Sequence, residues 1–224
     1  MDKKKKTLPA LERRSYAFEV RAEGDEQTGA TIAGRPIVYG STTDICGAFA
    51  EIIEPGALDG ADLSDVRFLV NHDINRIPLA RSRKSSEGST MRLTPDKDGL
   101  LMSADIDTVN NSTARELNSA IKRGDISGMS FMFSVAEERW EDVDSDYPTR
   151  HILKIGSVIE VSAVTFPAYE DTEIHARGGA LENARAALEN ARKTKRSKTS
   201  EGVDALELAK AKNRIYKNLG GKSL

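Results

Sequence analysis

A single cysteine among 224 residues rules out an internal disulfide. With no CxxC pair and no Cys/His cluster there is also no zinc-ligand spacing, and three scattered histidines supply no metal ligand set. A reducing, cytoplasmic setting fits. No run of about 18 apolar residues exists, and the basic start MDKKKKTLPALERR leads into no apolar stretch of signal-peptide length. The expectation is a soluble protein that is not exported and does not enter a membrane. Neither charge sign dominates, since 33 Lys+Arg face 35 Asp+Glu for a net charge of −2. Bulk attraction to nucleic-acid phosphates is therefore not indicated.

Charge and periodicity divide the chain in three. Residues 1–14 carry Lys3 to Lys6 and Glu12-Arg13-Arg14 with only Leu8 and Leu11 as sizeable apolar groups, which reads as a basic flexible arm. Residues 177–224 read as a helical and basic tail. Leu181, Ala184, Leu188 and Ala191 fall at helical spacing, Leu208, Ala211, Ile215 and Leu219 do so again, and a basic linker around 193–202 lies between them. Residues 15–176 hold the tryptophan, all six phenylalanines and nearly all β-branched residues, and are expected to be the folded domain.

Within that domain the hydrophobic period is mostly two. SYAFEVRA, ATIAGRPIVYG, FAEIIEP, VRFLVNH, MRLTPDKDGLLMSADI, ISGMSFMFSVAEERW and HILKIGSVIEVSAVTF read as strands bounded by Gly, Pro and Asp-Gly turns. One segment differs. Asn111-Ser112-Thr113 followed by ARELNSAIKRG combines an N-cap, good helix formers and a closing Gly124. A short helix after Glu54-Pro55-Gly56 is also compatible with the residues. The fold class is α+β: mostly antiparallel strands in a barrel or strongly bent sheet, with a helix just before the strand that begins at Ile126.

Three polar residues sit among apolar strand residues. In Gly128–Val135, alternation puts Met129, Phe131 and Phe133 on one face and Ser130 on the other, beside a glycine that leaves room for a substrate backbone. Ser130 is then either a reactive hydroxyl or a small residue on a solvated face. In Val66–Asp73, His72 shares a face with Phe68 and Val70 at the strand end, as a general base or a hydrogen-bonded structural histidine. Glu160 lies in a strand that looks buried on both sides, where an unpaired carboxylate would cost several kcal/mol. Its partner is a histidine donating a ring N–H, or else Arg67, Arg81 or Lys154. Taken together, a hydroxyl, a base and an orienting acid make up the set required for nucleophilic acyl transfer.

FLVNHDINRIPLARS, then a helix, then GDISGMSFMF, then IEVSAVTFPAY closely resembles the prohead proteases of tailed phages, over roughly residues 15–175. The resemblance implies a fold like the herpesvirus assembly protease: a bent β-barrel of mostly antiparallel strands with surrounding helices, here with a helical C-terminal extension. It implies a serine endopeptidase without cofactor or metal, with His72 as general base, Ser130 as nucleophile and Glu160 as third member. His151 is the alternative third member, because herpesvirus relatives use a second histidine there, and Asp73 and Asp171 are more remote candidates. The turn Pro167-Ala168-Tyr169 is one source of an oxyanion N–H, from Ala168, since Pro167 has none to give. The implied substrates are the scaffold-like region of the major capsid protein and the enzyme itself, inside the assembling prohead in the host cytoplasm, with self-association as a dimer or higher. On that reading the terminal arms are removable targeting segments. Two alternatives stand beside it: a non-enzymatic scaffolding protein with a degenerate protease domain, and a cysteine hydrolase using Cys46 with His72.

Overall fold

A computed structural model describes residues 11–16, 20–25, 28–84, 87–166 and 182–197. Eleven strands and one helix make up the β-rich part: β1 Leu11–Tyr16, β2 Val20–Asp25, β3 Gly29–Val38, β4 Thr42–Ile45, β5 Phe49–Ile53, β6 Arg67–Val70, β7 Ala80–Arg81, β8 Met91–Asp96, β9 Gly99–Ile106, α1 Ser112–Arg123, β10 Gly128–Glu141 and β11 Thr149–Val164. They form a four-stranded sheet in the order β2-β3-β9-β8 and a seven-stranded sheet whose path runs β1-β10-β11-β5-β4, with β6 and β7 branching from β11.

Neither sheet closes on itself among the described strands, which corrects the expected barrel. The pairing is mostly antiparallel, but β11 takes β5 and β6 in parallel. Among the described residues α1 is the one helix of this part, in place of the several surrounding helices expected. Alternation reports which residues share a face; it does not report which strand lies beside which, and closure is a property of that second kind.

The length of β11 organises the sheet. Its first residues, Thr149 to Ile152, pair with β5 and its last, Glu160 to Ala163, with β6. Throughout, its other edge is hydrogen-bonded to β10, with register shifts between Met132 and Glu138. On β10, Met129, Phe131 and Phe133 are fully buried in the core. Full burial of a phenylalanine contributes about 1.5–3 kcal/mol, so this face fixes which residues β10 turns the other way.

Helix α1 forms as its sequence dictates. The Asn111 side chain accepts from the backbone N–H groups of Thr113 and Ala114, and Gly124 ends the helix at φ 79° with its N–H turned back onto the last turn. Its apolar stripe, Ala114, Leu117 and Ile121, enters the core. The segment after Glu54-Pro55-Gly56 is a run of turns and not a helix. Gly56 and Gly60 are left-handed, at φ 83° and 80°, which interrupts any helical run, while Ala57 and Leu58 still reach the core.

Of the arm expected over residues 1–14, residues 11–14 belong to β1, and residues 1–10 lie outside the described residues. Glu12 and Arg14 read as solvated charges, yet both are buried. Arg14 binds Glu51 and, at 2.7 Å, Glu12; Arg150 binds Glu12 at 2.7 Å, Glu51 at 2.9 Å and Glu138 through its Nε at 2.8 Å. These residues come from β1, β5, β10 and β11, so the cluster fastens β1 to the sheet.

Burial alone would raise the Glu12 carboxyl, but the Arg150 hydrogen bond and the charges of Arg14 and Arg150 outweigh it and hold the group below its ordinary value. The Arg35 guanidinium, bonded to Asp96 at 2.6 and 2.8 Å, lowers that carboxyl too. A carboxylate with a depressed folded pKa adds stability above its unfolded pKa and loses it as pH falls through the folded value. The melting temperature is therefore expected to hold between about pH 5 and 7 and to drop progressively below about pH 4, the unfolded carboxylate range. Thermal unfolding monitored by circular dichroism from neutral to acid pH checks this, and a constant melting temperature would contradict it.

Residues 182–197 form a helix, α2. It includes Ala184, Leu188 and Ala191 and runs into the stretch expected as a linker. The second helical stripe, 208–219, and Lys3 to Lys6 lie outside the described residues. Among the described residues no helix is long and apolar enough to cross a membrane.

Candidate active site

Strand β6 stops at Val70, so His72 does not continue the alternation of Phe68 and Val70 as expected. Instead the chain turns. Asn71 and His72 are both left-handed, at φ 52° and 59°, and the Asp73 N–H closes the turn onto the Val70 carbonyl at 3.1 Å. Each non-glycine residue in this region costs on the order of 1 kcal/mol. Asparagine tolerates the conformation well and histidine is among the enriched types, so the order Asn-His suits the turn.

This turn brings the His72 ring to Glu160. Nδ1 and Glu160 Oε1 are 2.5 Å apart, with Glu160 only 1 % exposed. The other oxygen, Oε2, accepts from the Ser162 hydroxyl at 2.6 Å, and Ser162 Oγ in turn accepts from the His72 backbone N–H at 3.2 Å. The cationic partners considered for Glu160 are engaged elsewhere: Arg67 and Arg81 with Asp65, and Lys154 with Glu137.

Ser130 lies on the same patch of sheet. It is the direct cross-strand partner of Ser162, and Ser162 on its other side is opposite Leu69 of β6. Directly opposed residues present side chains to the same face, with Cα atoms about 4.5–5.5 Å apart. Ser130 and His72 thus both abut Ser162. They are not hydrogen-bonded to each other among the described residues. The Ser130 hydroxyl donates to the Arg14 carbonyl at 2.7 Å and accepts from the Ser15 hydroxyl at 2.8 Å. It is 0 % exposed, so the solvated-face reading of Ser130 does not hold.

His151 is not brought to this cluster. It stands nine residues before Glu160 on β11, roughly 30 Å along an extended strand, and its Nδ1 meets Glu54 at 2.6 Å. Asp73 faces solvent with Arg76 at 3.5 Å. Cys46 is exposed in the β4–β5 turn, and β4 ends the sheet path opposite to β1. Ala168 and Asp171 lie outside the described residues. A cleft of about 790 Å³ opens beside the His72 turn, lined among others by Leu69, Asn71, Ile77, Leu79 and Asn111.

Sequence reasoning missed Asn71, Ser162, Ser15 and Arg14 as neighbours of the site. Two signals point to the first pair: an asparagine directly after a strand and before the histidine, and a serine two positions after Glu160, hence on the same face.

A conserved-family sequence profile, that of the caudovirus prohead serine proteases, matches residues 16–186, and the chain belongs to this family. The chain is 30% identical over 162 residues to the prohead protease of Enterobacteria phage HK97, across 70% of this chain and 64% of that protein. It thus spans just under two thirds of that relative's length. Among solved structures, the capsid assembly protease of bacteriophage T4 is similar at 12% identity and a TM-score of 0.39, covering 70% of this chain and 99% of the other.

Proposed function

We propose that this protein is a serine endopeptidase of capsid maturation, with His72 as general base, Ser130 as nucleophile and Glu160 as the acid that orients the base. The observation that carries this reading is the bond between His72 Nδ1 and Glu160, formed beside the residue that directly opposes Ser130. With Nδ1–H donated to the carboxylate, Nε2 is left unprotonated, which is the state a base requires. His72 Nε2 takes the Ser130 proton as Oγ bonds to a peptide carbonyl carbon. The imidazolium then protonates the departing amine as the C–N bond breaks, and water repeats the sequence to free the acyl group. To begin, the Ser130 hydroxyl turns away from the Arg14 carbonyl and toward His72. No metal or cofactor enters these steps.

Family membership supports the substrate proposed: the scaffold region of the major capsid protein, within the assembling prohead in the host cytoplasm, followed by the protease itself. The test is co-expression with that capsid protein and mapping of product N-termini by mass spectrometry. Wild type is expected to shorten the capsid protein and His72→Ala to leave it intact. Equal shortening by both proteins would defeat the assignment.

A further inference from the structure

We infer that Asn71 and Ser162 are positioning residues for His72, which they hold in a left-handed turn against Glu160; the inference rests on His72 acting as the base. A left-handed histidine persists only where its surroundings determine it more than once. Here the last residues of β11 and Thr165, which follows it, do so. The Asn71 N–H donates to the Ala163 carbonyl at 2.9 Å. The Asn71 side chain accepts from the Thr165 N–H at 2.9 Å and donates from Nδ2 to the Thr165 hydroxyl at 3.0 Å. One residue on, the His72 N–H donates to Ser162 Oγ, whose proton goes to Glu160.

The consequence is that base and acid are referenced to the same strand. Glu160 projects from β11, and the backbone carrying His72 is pinned to β11 at Ser162 and Ala163 and to Thr165 just past its end. Ser162 acts on both partners at once: its hydroxyl occupies one carboxylate oxygen and leaves the other for the imidazole. Without these contacts the turn has only its own closing bond, and the ring is free to leave Glu160 and lose the tautomer that exposes Nε2. A displacement of about 1 Å at a reacting group costs roughly 100-fold in rate.

The experiment measures the rate at which diisopropyl fluorophosphate labels Ser130, together with the downfield proton resonance of an imidazole N–H shared with a carboxylate. Asn71→Gly is the informative change, because glycine adopts the left-handed conformation without strain and the substitution removes only the side-chain clamp. Asn71 is exposed, so this variant is expected to fold with a melting temperature near that of wild type. Labelling is expected to slow roughly 100-fold in Asn71→Gly and in Ser162→Ala, with the resonance lost or displaced. Asn71→Asp, which keeps the acceptor for the Thr165 N–H, is expected to restore both. Wild-type rates and an unmoved resonance in Asn71→Gly and Ser162→Ala would overturn the positioning role. His72→Ala separates the two levels: if it too labels at the wild-type rate, His72 is not the base at all, whereas if it alone stops labelling, only the inference about Asn71 and Ser162 fails. The resonance reports the His72–Glu160 contact without requiring activity.

Discussion

Ser130→Ala is expected to leave capsid-protein cleavage undetectable in co-expression, while the protein remains folded. The two effects differ widely in scale. Removing the hydroxyl costs the bonds to Arg14 and Ser15 and leaves the buried Ser15 hydroxyl short of a partner, a stability loss of about 1–3 kcal/mol. Removing a serine nucleophile costs on the order of 10⁶ in turnover in the subtilisin case, equivalent to about 8 kcal/mol of barrier. Glu160→Gln is expected to be less severe, on the order of 10⁴, as when a triad aspartate becomes asparagine. Its amide presents an N–H to Nδ1, favours the tautomer with the proton on Nε2, and so occupies the position that must accept from Ser130. Product mapping with purified proteins gives the order wild type, Glu160→Gln, Ser130→Ala. An active Ser130→Ala protein would sink the serine mechanism, and a fully active Glu160→Gln protein would remove Glu160 from it.

How the site forms shows what can be read from residues alone. The demand of Glu160 for a partner is legible, because a carboxylate in a strand apolar on both faces is costly unless paired. The identity of the partner is not. It depends on β11 accepting β6 in parallel at Glu160 to Ala163 and on two left-handed residues that carry His72 off the strand, and alternation predicts neither. Helix α1 is legible at both ends, since Asn111 and Gly124 act locally. The short strands β4 and β7 are missed because Thr42–Ile45 and Ala80–Arg81 are too brief to show a period and owe their conformation to the neighbours they pair with. The barrel expectation goes too far for the same reason: pairing partners are tertiary information. β1 is the sharpest case. Its charged residues look like those of a solvated arm, and their burial is intelligible only once Glu51, 37 residues from Arg14, and Arg150, 138 residues from Glu12, stand beside them.

That cluster sets the second large effect. Arg150→Leu is expected to destabilise the protein by about 3–5 kcal/mol, because Glu12 and Glu51 would remain buried with Arg14 as their only cation in the cluster. At about 2–4 °C per kcal/mol for a chain of this size, the melting temperature should fall by roughly 10 °C. The loss comes mainly from the stranded charge and not from the absent bonds, so adding Glu12→Gln to Arg150→Leu is expected to recover part of it, although a second residue of the cluster has then been removed. Urea unfolding of the single and double variants measures both. If Arg150→Leu lies within 1 kcal/mol of wild type, the cluster is exposed to water in solution. The connection to function runs through β1: the strand that Glu12 and Arg14 fasten also carries the carbonyl and the hydroxyl bonded to Ser130. Loosening the cluster is therefore expected to change how fast Ser130 reacts with a fluorophosphonate, a coupling between stability and reactivity that an unrelated core substitution of equal cost should not produce.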